Sequence, residues 1–466
     1  MASYPPLTRR ELPPPPPLRK ALGVGVVVMG LAIGTGELIL WPHLVTKFGL
    51  GLLWLALVGI ICQYFINQEV ARHALATGEG FFMSSARVLP WLVPFWFFAS
   101  LLLYIWPGWA SAIGTTLTEL FGFGSHYAWS LATLGLALLF TFSGRVAYVV
   151  LERTLKIIVP VFFILLLVIS FLNLDRVHIA EAVSGLLNFG GIPQGIDMNL
   201  LLGAIVFAGA GGMLNLCVSL WYRDKQAGMG AWSGRITNPI TGKPEAVSAT
   251  GYSFDPTAEQ LARWRGWMRY VRIDQGVIFL FLGFVTLVLL SVNAHVVLTP
   301  RGLVPEGLQI AVVQAHIFGE AWGVFGFKLF LAMAFLMLFS VMWTVLDALT
   351  RIVSDILYTQ SRVGPFARFL GKFRRLSIGH LYYATIVLVV LVGALLIPLE
   401  QPLFWLVLSA VLGGFTMAVY TPLLIYLNNA KLPRPLRPGL LTNVAMVCIS
   451  VFFIFFAYRV IAQYFS

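Results

Sequence analysis

Long apolar stretches recur along the 466-residue chain and are separated by short polar or basic segments. About 20 residues of α-helix cross the roughly 30 Å of hydrocarbon in a bilayer. The pattern predicts eleven such spans, at residues 21–46, 51–76, 92–121, 126–143, 147–173, 199–222, 271–297, 325–358, 379–398, 402–428 and 440–461. A transmembrane β-barrel would instead show alternating strands of about ten residues. We therefore expect an all-α polytopic membrane protein.

Composition agrees with this interpretation, because 59% of the residues are hydrophobic and only 11% are charged. Lysine and arginine cluster in the N-terminal segment and in every second loop, whereas the alternate loops hold only Lys47, Arg176 and Arg301. The positive-inside rule then places the N-terminus in the cytoplasm and the C-terminus outside. The net charge of +12 is explained by this topology and gives no reason to expect nucleic acid as a partner.

Two segments outside the spans have a composition of their own. Residues 1–20 are rich in proline and arginine and lack the apolar region of a signal peptide, which predicts a disordered cytoplasmic leader. The longest loop, 223–270, ends in a stretch with helical spacing that combines Trp264, Trp267 and Met268 with arginines. This stretch is either an interfacial amphipathic helix or a cytoplasmic extension of span 7.

Glycines interrupt the first span of the first five and the first span of the second five. Span 1 contains Gly34, Thr35 and Gly36 followed by Glu37, and span 6 contains Gly209, Ala210, Gly211 and Gly212 followed by Met213 and Asn215. Interrupted helices at matching positions predict a transporter built from inverted repeats, with its substrate site at the two breaks. The repeats would be 21–173 and 199–428, joined by an extracellular loop 174–198 and followed by span 11 within 429–466.

Both features have a structural alternative. Glycines in spans also permit close packing between helices. A carboxylate at membrane depth is costly and usually faces a cavity or a partner, so Glu37 is a candidate ligand for substrate, proton or cation. A Glu37 that bonds only to backbone amides of the break is the alternative.

Span 8 places three polar side chains on one helix face, at i, i+4 and i+7. They are Ser340, Thr344 and Asp347. They are candidates for a coupling-ion or structural-cation site, and an ion pair between Asp347 and Arg351 is the alternative.

The span 1–2 region, GLGLLWLALVGIICQYFINQEVARHALATGEG, resembles the Nramp family of proton-coupled divalent-metal transporters. Further similarity lies in SAIGTTLTELFG of span 3, LLGAIV of span 6, and LVLSAV and TPLLIYL of span 10. The resemblance implies the five-plus-five inverted-repeat fold of the leucine transporter, with helices 1 and 6 broken. It also implies metal as the substrate.

The metal ligands of that family do not recur here. Its span 1 break reads Asp-Pro-Gly-Asn, where this chain has Gly34 to Glu37. Its span 6 break reads Met-Pro-His, and neither matching segment of this chain, 207–209 or 210–212, contains the Met or the His. The resemblance therefore leaves Glu37 as the tentative metal ligand. Without a soft ligand, the site favours a hard cation such as Mg²⁺ over Mn²⁺ or Fe²⁺.

No nucleotide-binding or catalytic motif occurs, which predicts a secondary transporter and not an enzyme, with no cofactor. The leading hypothesis is transport of a divalent cation by a monomer in a bacterial inner membrane. An ion-coupled transporter of an amine or amino acid is the alternative, since Glu37 would pair with an ammonium group. A receptor that senses a ligand without moving it is a third possibility.

Overall fold

The computed structural model describes residues 4–17, 23–243, 245–306, 309–399 and 402–463. Within these residues, nine helices are long and apolar enough to cross a membrane. They correspond to the predicted spans 1, 2, 3, 5, 7, 8, 9, 10 and 11. Span 4 is an 18-residue helix, His126–Ser143, and span 6 is divided into two short helices. The chain is thus an α-helical multi-pass membrane protein.

Nine α-helices lie among the described residues before the second interrupted span. They are α1 Val24–Thr35, α2 Trp41–Phe48, α3 Leu53–Thr77, α4 Phe81–Val88, α5 Leu92–Tyr104, α6 Gly108–Phe121, α7 His126–Ser143, α8 Ala147–Asn173 and α9 Arg176–Leu187. Helix α9 lies in the loop between spans 5 and 6, where the sequence predicted no element.

The second half of the chain is also built from α-helices. Its helices are α10 Met198–Val206, α11 Leu214–Asp224, α12 Ala258–Ile273, α13 Gly283–Leu298, α14 Ile310–Gln314, α15 His316–Gln360, α16 Ile378–Leu396, α17 Pro402–Tyr426 and α18 Leu440–Ala462. A non-helical residue, Gly323, kinks α15 near its start.

The interruption of span 1 takes a different form from the unwound backbone that its glycines predicted. Residues Gly36–Leu40 form a π-helical turn that joins α1 directly to α2. One extra residue in the turn shifts the hydrogen-bonding register without opening the helix, a feature common at functional sites. Span 6, in contrast, is truly broken between α10 and α11. Span 3 carries a further break, at residues 105–107, that the prediction missed.

Helix α12 continues through a π-helical segment, Asp274–Leu282, into α13 of span 7. Trp264 and Trp267 are buried within the protein, and the indole Nε1 of Trp267 donates to the Pro13 carbonyl at 2.8 Å. Helix α12 is therefore an extension of span 7 that packs against the N-terminal segment, which favours this alternative over an interfacial helix.

The leader is ordered over residues 4–17, so the prediction of disorder is wrong for this part. Thr8–Arg9 (β1) pairs in parallel with Tyr252–Ser253 (β2) of the long loop 223–270. Leu12 is fully buried, and its amide donates to Gln260 Oε1 at 2.7 Å. Proline fixes φ and lowers the entropy that ordering costs, which favours such a docked segment.

Span 1 lies at the centre of the protein. All side chains described from residue 23 to residue 46 are buried. Span 1 contacts spans 5, 7 and 8 along α1, and the first half of span 6 at its π-helical turn. The π-helical turn and the span 6 break therefore face one another inside the helix bundle.

Candidate functional site

Glu37 lies in the π-helical turn and is fully buried. Neither of its carboxylate oxygens has a hydrogen-bond partner within the described part of the chain. The alternative in which Glu37 bonds to backbone amides is therefore wrong. On the span 7 side, a Cβ added to Gly283 would lie 3.7 Å from Glu37 Oε1, so glycine leaves the space next to the carboxylate open. A carboxylate buried in this way is stable only if it is protonated or meets a cation.

Two side-chain hydrogen bonds hold the π-helical turn and the residue after it against neighbouring helices. The amide of Gln314 donates to the carbonyl of Leu38, and the indole of Trp41 donates to the Ala204 carbonyl at 3.0 Å. Gln314 is fully buried, and its own oxygen has no hydrogen-bond partner among the described residues. Glu37 of the turn and Gln314 of α14 therefore contribute three buried oxygens without hydrogen-bond partners among the described residues.

Gly34 and Gly36 serve close packing. A Cβ on Gly34 would lie 2.5 Å from Cγ2 of Val341 in span 8, and a Cβ on Gly36 would lie 1.6 Å from the Phe207 carbonyl oxygen. The packing alternative thus applies to both residues in this conformation. The side chain of Thr35 lies outside the described part.

The break in span 6 extends from Phe207 to Met213 and contains two residues in the left-handed region. They are Gly211, with φ +76°, and Gly212, with φ +56°. Without a Cβ, glycine adopts this conformation at little cost. Tyr420 of span 10 donates to the Gly212 carbonyl at 3.0 Å, so span 10 stabilises the end of the break that precedes α11.

Gln63 of span 2 bridges this break. Its Nε2 donates to the Val206 carbonyl at 2.7 Å, and its Oε1 accepts from the Gly211 amide at 2.8 Å. One buried carboxamide therefore satisfies a backbone acceptor before the break and a backbone donor after it. Unpaired backbone groups at membrane depth would otherwise be costly.

The other predicted span 6 residues are buried around the same bridge. A Cβ on Gly209 would lie 2.6 Å from Gln63 Oε1. Asn215 donates to Asn67 Oδ1 at 2.8 Å, while its own Oδ1 has no hydrogen-bond partner in the described structure. Ala210 and Met213 are buried apolar lining. The structure thus brings all the predicted span 6 residues to one region, next to the Glu37 turn.

The polar groups of span 8 are engaged by the protein itself. The Ser340 hydroxyl donates to the Gly30 carbonyl of span 1 at 3.0 Å, and the Thr344 hydroxyl donates to the Ser340 carbonyl at 2.6 Å. Asp347 accepts from Arg351 Nε at 2.6 Å, from Trp221 and from Tyr382. The Asp347–Arg351 ion pair, the structural alternative, is therefore present.

Gln63, Asn67 and Gln314 are site residues that the sequence did not reveal. A single amide side chain is a weak signal by itself, even where, as for Gln63 and Asn67, it lies in the stretch that carries the family resemblance. Among the described residues, no group of three or more His, Cys, Asp or Glu side chains is placed to hold a metal ion. A cation bound here would thus depend on one carboxylate together with amide and backbone oxygens.

Comparison with known proteins identifies both fold and family. Two crystal structures of a manganese transporter from Eremococcus coleocola align at 13% identity, with TM-scores of 0.65 and 0.66. They cover 100% and 99% of this chain and 92% and 91% of those chains. The structure of MhsT in complex with L-phenylalanine aligns at 15% identity and a TM-score of 0.55, covering 93% of this chain and 98% of that chain. No curated protein sequence matches this one.

These structural similarities establish the leucine-transporter-type fold. The sequence model described as natural resistance-associated macrophage protein-like matches residues 25–463, nearly the whole chain. This chain belongs to the Nramp family of membrane transporters.

Proposed function

We propose that the protein transports a divalent metal cation across the membrane through a site between the π-helical turn of span 1 and the break of span 6. The observation that carries this proposal is the Glu37 carboxylate, fully buried with neither oxygen hydrogen-bonded by a described residue. A bound cation removes the cost of such a charge, and membership of the Nramp family supports a metal as that cation.

The ligands available to the cation are oxygens. Glu37 supplies the charge, Asn215 and Gln314 each offer a side-chain oxygen without a hydrogen-bond partner in the described structure, and the span 6 break supplies carbonyls. Carboxylate, amide and carbonyl oxygens suit hard cations such as Mg²⁺, Ca²⁺ and Mn²⁺, and the lack of a soft ligand removes the added affinity that such a ligand gives to Mn²⁺ and Fe²⁺. We therefore propose Mg²⁺ as the preferred cargo, with manganese, the cargo named for the Eremococcus coleocola protein, bound more weakly.

Transport requires the site to face each side of the membrane in turn. Span 1 and span 6 meet at the contact of Gly36 with the Phe207 carbonyl, so a tilt of either half-helix opens the site to one side. The cation neutralises Glu37 when the site is loaded. When the empty transporter returns to the other side, a proton neutralises Glu37 instead. The protein thereby avoids carrying a bare carboxylate through its occluded state.

The predicted topology completes the proposal. We place the N-terminus and the loop 223–270 in the cytoplasm and the C-terminus outside, in a bacterial inner membrane, with repeats 21–173 and 199–428 and a monomer as the working unit. The concentration of basic residues in every second loop supports this orientation.

Direct binding tests the proposal before any flux is measured. Titration calorimetry of the purified protein with Mg²⁺, Mn²⁺ and Ca²⁺ is expected to give one saturable site that prefers Mg²⁺ and is lost in Glu37→Gln. Glu119→Gln, which changes an exposed carboxylate outside the site, is the control. Binding of an amine or amino acid, with no heat from any of the three cations, would contradict the metal and support an organic substrate.

A further inference from the structure

A row of buried polar side chains leads away from the span 6 break toward the cytoplasmic end of span 1. Its members are Gln63, Asn215, Asn67, Gln275, Tyr222 and Asp274. Each is fully buried. Three spans contribute them, spans 2, 6 and 7, and backbone amides of span 1 bond to the last member.

The hydrogen bonds of this row form a continuous chain. Asn215 Nδ2 lies 3.4 Å from Gln63 Oε1 and 2.8 Å from Asn67 Oδ1. Asn67 Nδ2 then donates to Gln275 Oε1 at 3.3 Å, and Gln275 Nε2 donates to the Tyr222 hydroxyl at 3.2 Å. From Asn67 onward, each side chain donates to the next member of the row, in the direction of the cytoplasmic end of span 1.

The chain ends on the first turn of span 1. The Tyr222 hydroxyl donates to Asp274 Oδ2 at 2.8 Å. The same carboxylate accepts from the amides of Gly23, at 3.0 Å, and Gly25, at 2.8 Å. A carboxylate at a helix N-terminus satisfies free amides and complements the helix dipole, so Asp274 fixes this end of span 1 to span 7.

We propose that this row is a relay in which Gln63 senses the state of the span 6 break and Asp274 holds or releases the cytoplasmic end of span 1. Gln63 Oε1 accepts from the Gly211 amide and lies 3.4 Å from the Asn215 amide group. When cation binding moves the span 6 break, Oε1 loses the Gly211 amide and the Gln63 carboxamide turns, so the Asn215 amide loses this acceptor. Asn215 must then reorient, and because an unpaired polar group is costly inside the bundle, each following bond must adjust in turn.

The relay consists of hydrogen bonds that are present without bound cargo. Its trigger, in contrast, rests on the proposed cation transport. Gln63 thus positions the backbone of the span 6 break, and Asp274 positions the first turn of span 1. Neither is proposed as the charged ligand, which remains Glu37.

Hydrogen exchange of the backbone amides in residues 23–30, measured by mass spectrometry on full-length protein, tests the relay without cargo. Gln63→Met is expected to raise exchange in this segment about fivefold to tenfold, the equivalent of one lost hydrogen bond of roughly 1 kcal/mol. Gln275→Met is expected to do the same. The double variant is expected to exchange no faster than Gln275→Met alone, because both changes cut one relay.

Asn293→Leu is the matched control, since Asn293 is a fully buried amide in the same span as Gln275 that instead bonds to Ser170 at 2.8 Å. It is expected to leave residues 23–30 unchanged. If Gln63→Met does not fold, Asn67→Ser cuts the next link and makes the same prediction. Unchanged exchange in folded Gln63→Met or Asn67→Ser protein, or additive effects in the double variant, would overturn the relay.

Addition of Mg²⁺ to the wild-type protein separates the relay from its trigger. Faster exchange in residues 23–30 with Mg²⁺, absent in Gln275→Met, would support both. A response to the variants with none to Mg²⁺ would support the relay and contradict the cation as its trigger.

Discussion

The Cα of Gly36 packs so closely against span 6 that a methyl group there would lie 1.6 Å from the Phe207 carbonyl oxygen. This contact joins the π-helical turn that carries Glu37 to the residue that directly follows α10. It is a backbone-to-backbone contact, so no side-chain rotation relieves an added atom. The two interrupted spans are therefore coupled at one point.

Gly36→Ala is expected to lower the free energy of unfolding by at least about 3 kcal/mol, because overpacking against backbone forces the two spans apart. Thermal melting of purified protein measures this. Gly135→Ala is the control, since a Cβ on Gly135 in α7 meets nothing within 4 Å and alanine is the better helix former. Equal stability of both variants would contradict the contact.

Glu37→Met is expected to stabilise the protein by about 1–3 kcal/mol while abolishing transport. The change removes two buried oxygens without hydrogen-bond partners in the described structure and keeps the volume of the side chain. Glu119→Met, at an exposed position, is expected to shift stability by no more than about 0.5 kcal/mol. A destabilised Glu37→Met protein would show that Glu37 has a partner that stabilises the fold.

Asp347→Asn is expected to cost about 3 kcal/mol or more, because it leaves buried Arg351 without one of its two carboxylates. Thr344→Val removes a hydroxyl that bonds only within its own helix, and we expect a loss below about 1 kcal/mol. Melting in sodium and in potassium buffers checks both. Sodium-dependent stabilisation that either variant abolishes would instead indicate the coupling-ion site that the sequence suggested.

Leu12→Asp is expected to release the leader, because the fully buried leucine anchors it against the long loop 223–270 and α12. Limited trypsin digestion should then cleave after Arg9 or Arg10 at least about tenfold faster than in wild type. Pro14→Ala, at an exposed position in the same segment, should cleave at the wild-type rate. Cleavage at equal rates in both variants would show that the leader is held elsewhere.

The sequence predicted those features that depend on local composition. Apolar length located the spans, and the glycines of 209–212 located the span 6 break, because helix-breaking residues act locally. Pro107 is a local signal of the same kind for the break in span 3, but it lies within one long apolar stretch that predicts a continuous helix. The apolar pattern with Gly34 and Gly36 also placed Glu37 inside the bundle.

The sequence did not predict features that arise from tertiary contacts. Glycine permits both unwinding and close packing, and the approach of Gly36 to Phe207 decides between them. Gln63, Gln275 and Gln314 are single amides whose role appears only when the spans come together. The leader likewise lacks a folding pattern of its own and is ordered by the surface on which it docks.

Uptake by purified protein in liposomes tests the central claim most directly. Mg²⁺, Mn²⁺ and Ca²⁺ would be supplied one at a time, with Glu37→Gln measured alongside. The account predicts saturable uptake, fastest for Mg²⁺, that falls to the level of empty liposomes in the variant. No uptake of any of the three ions by folded, monodisperse wild-type protein would contradict metal transport.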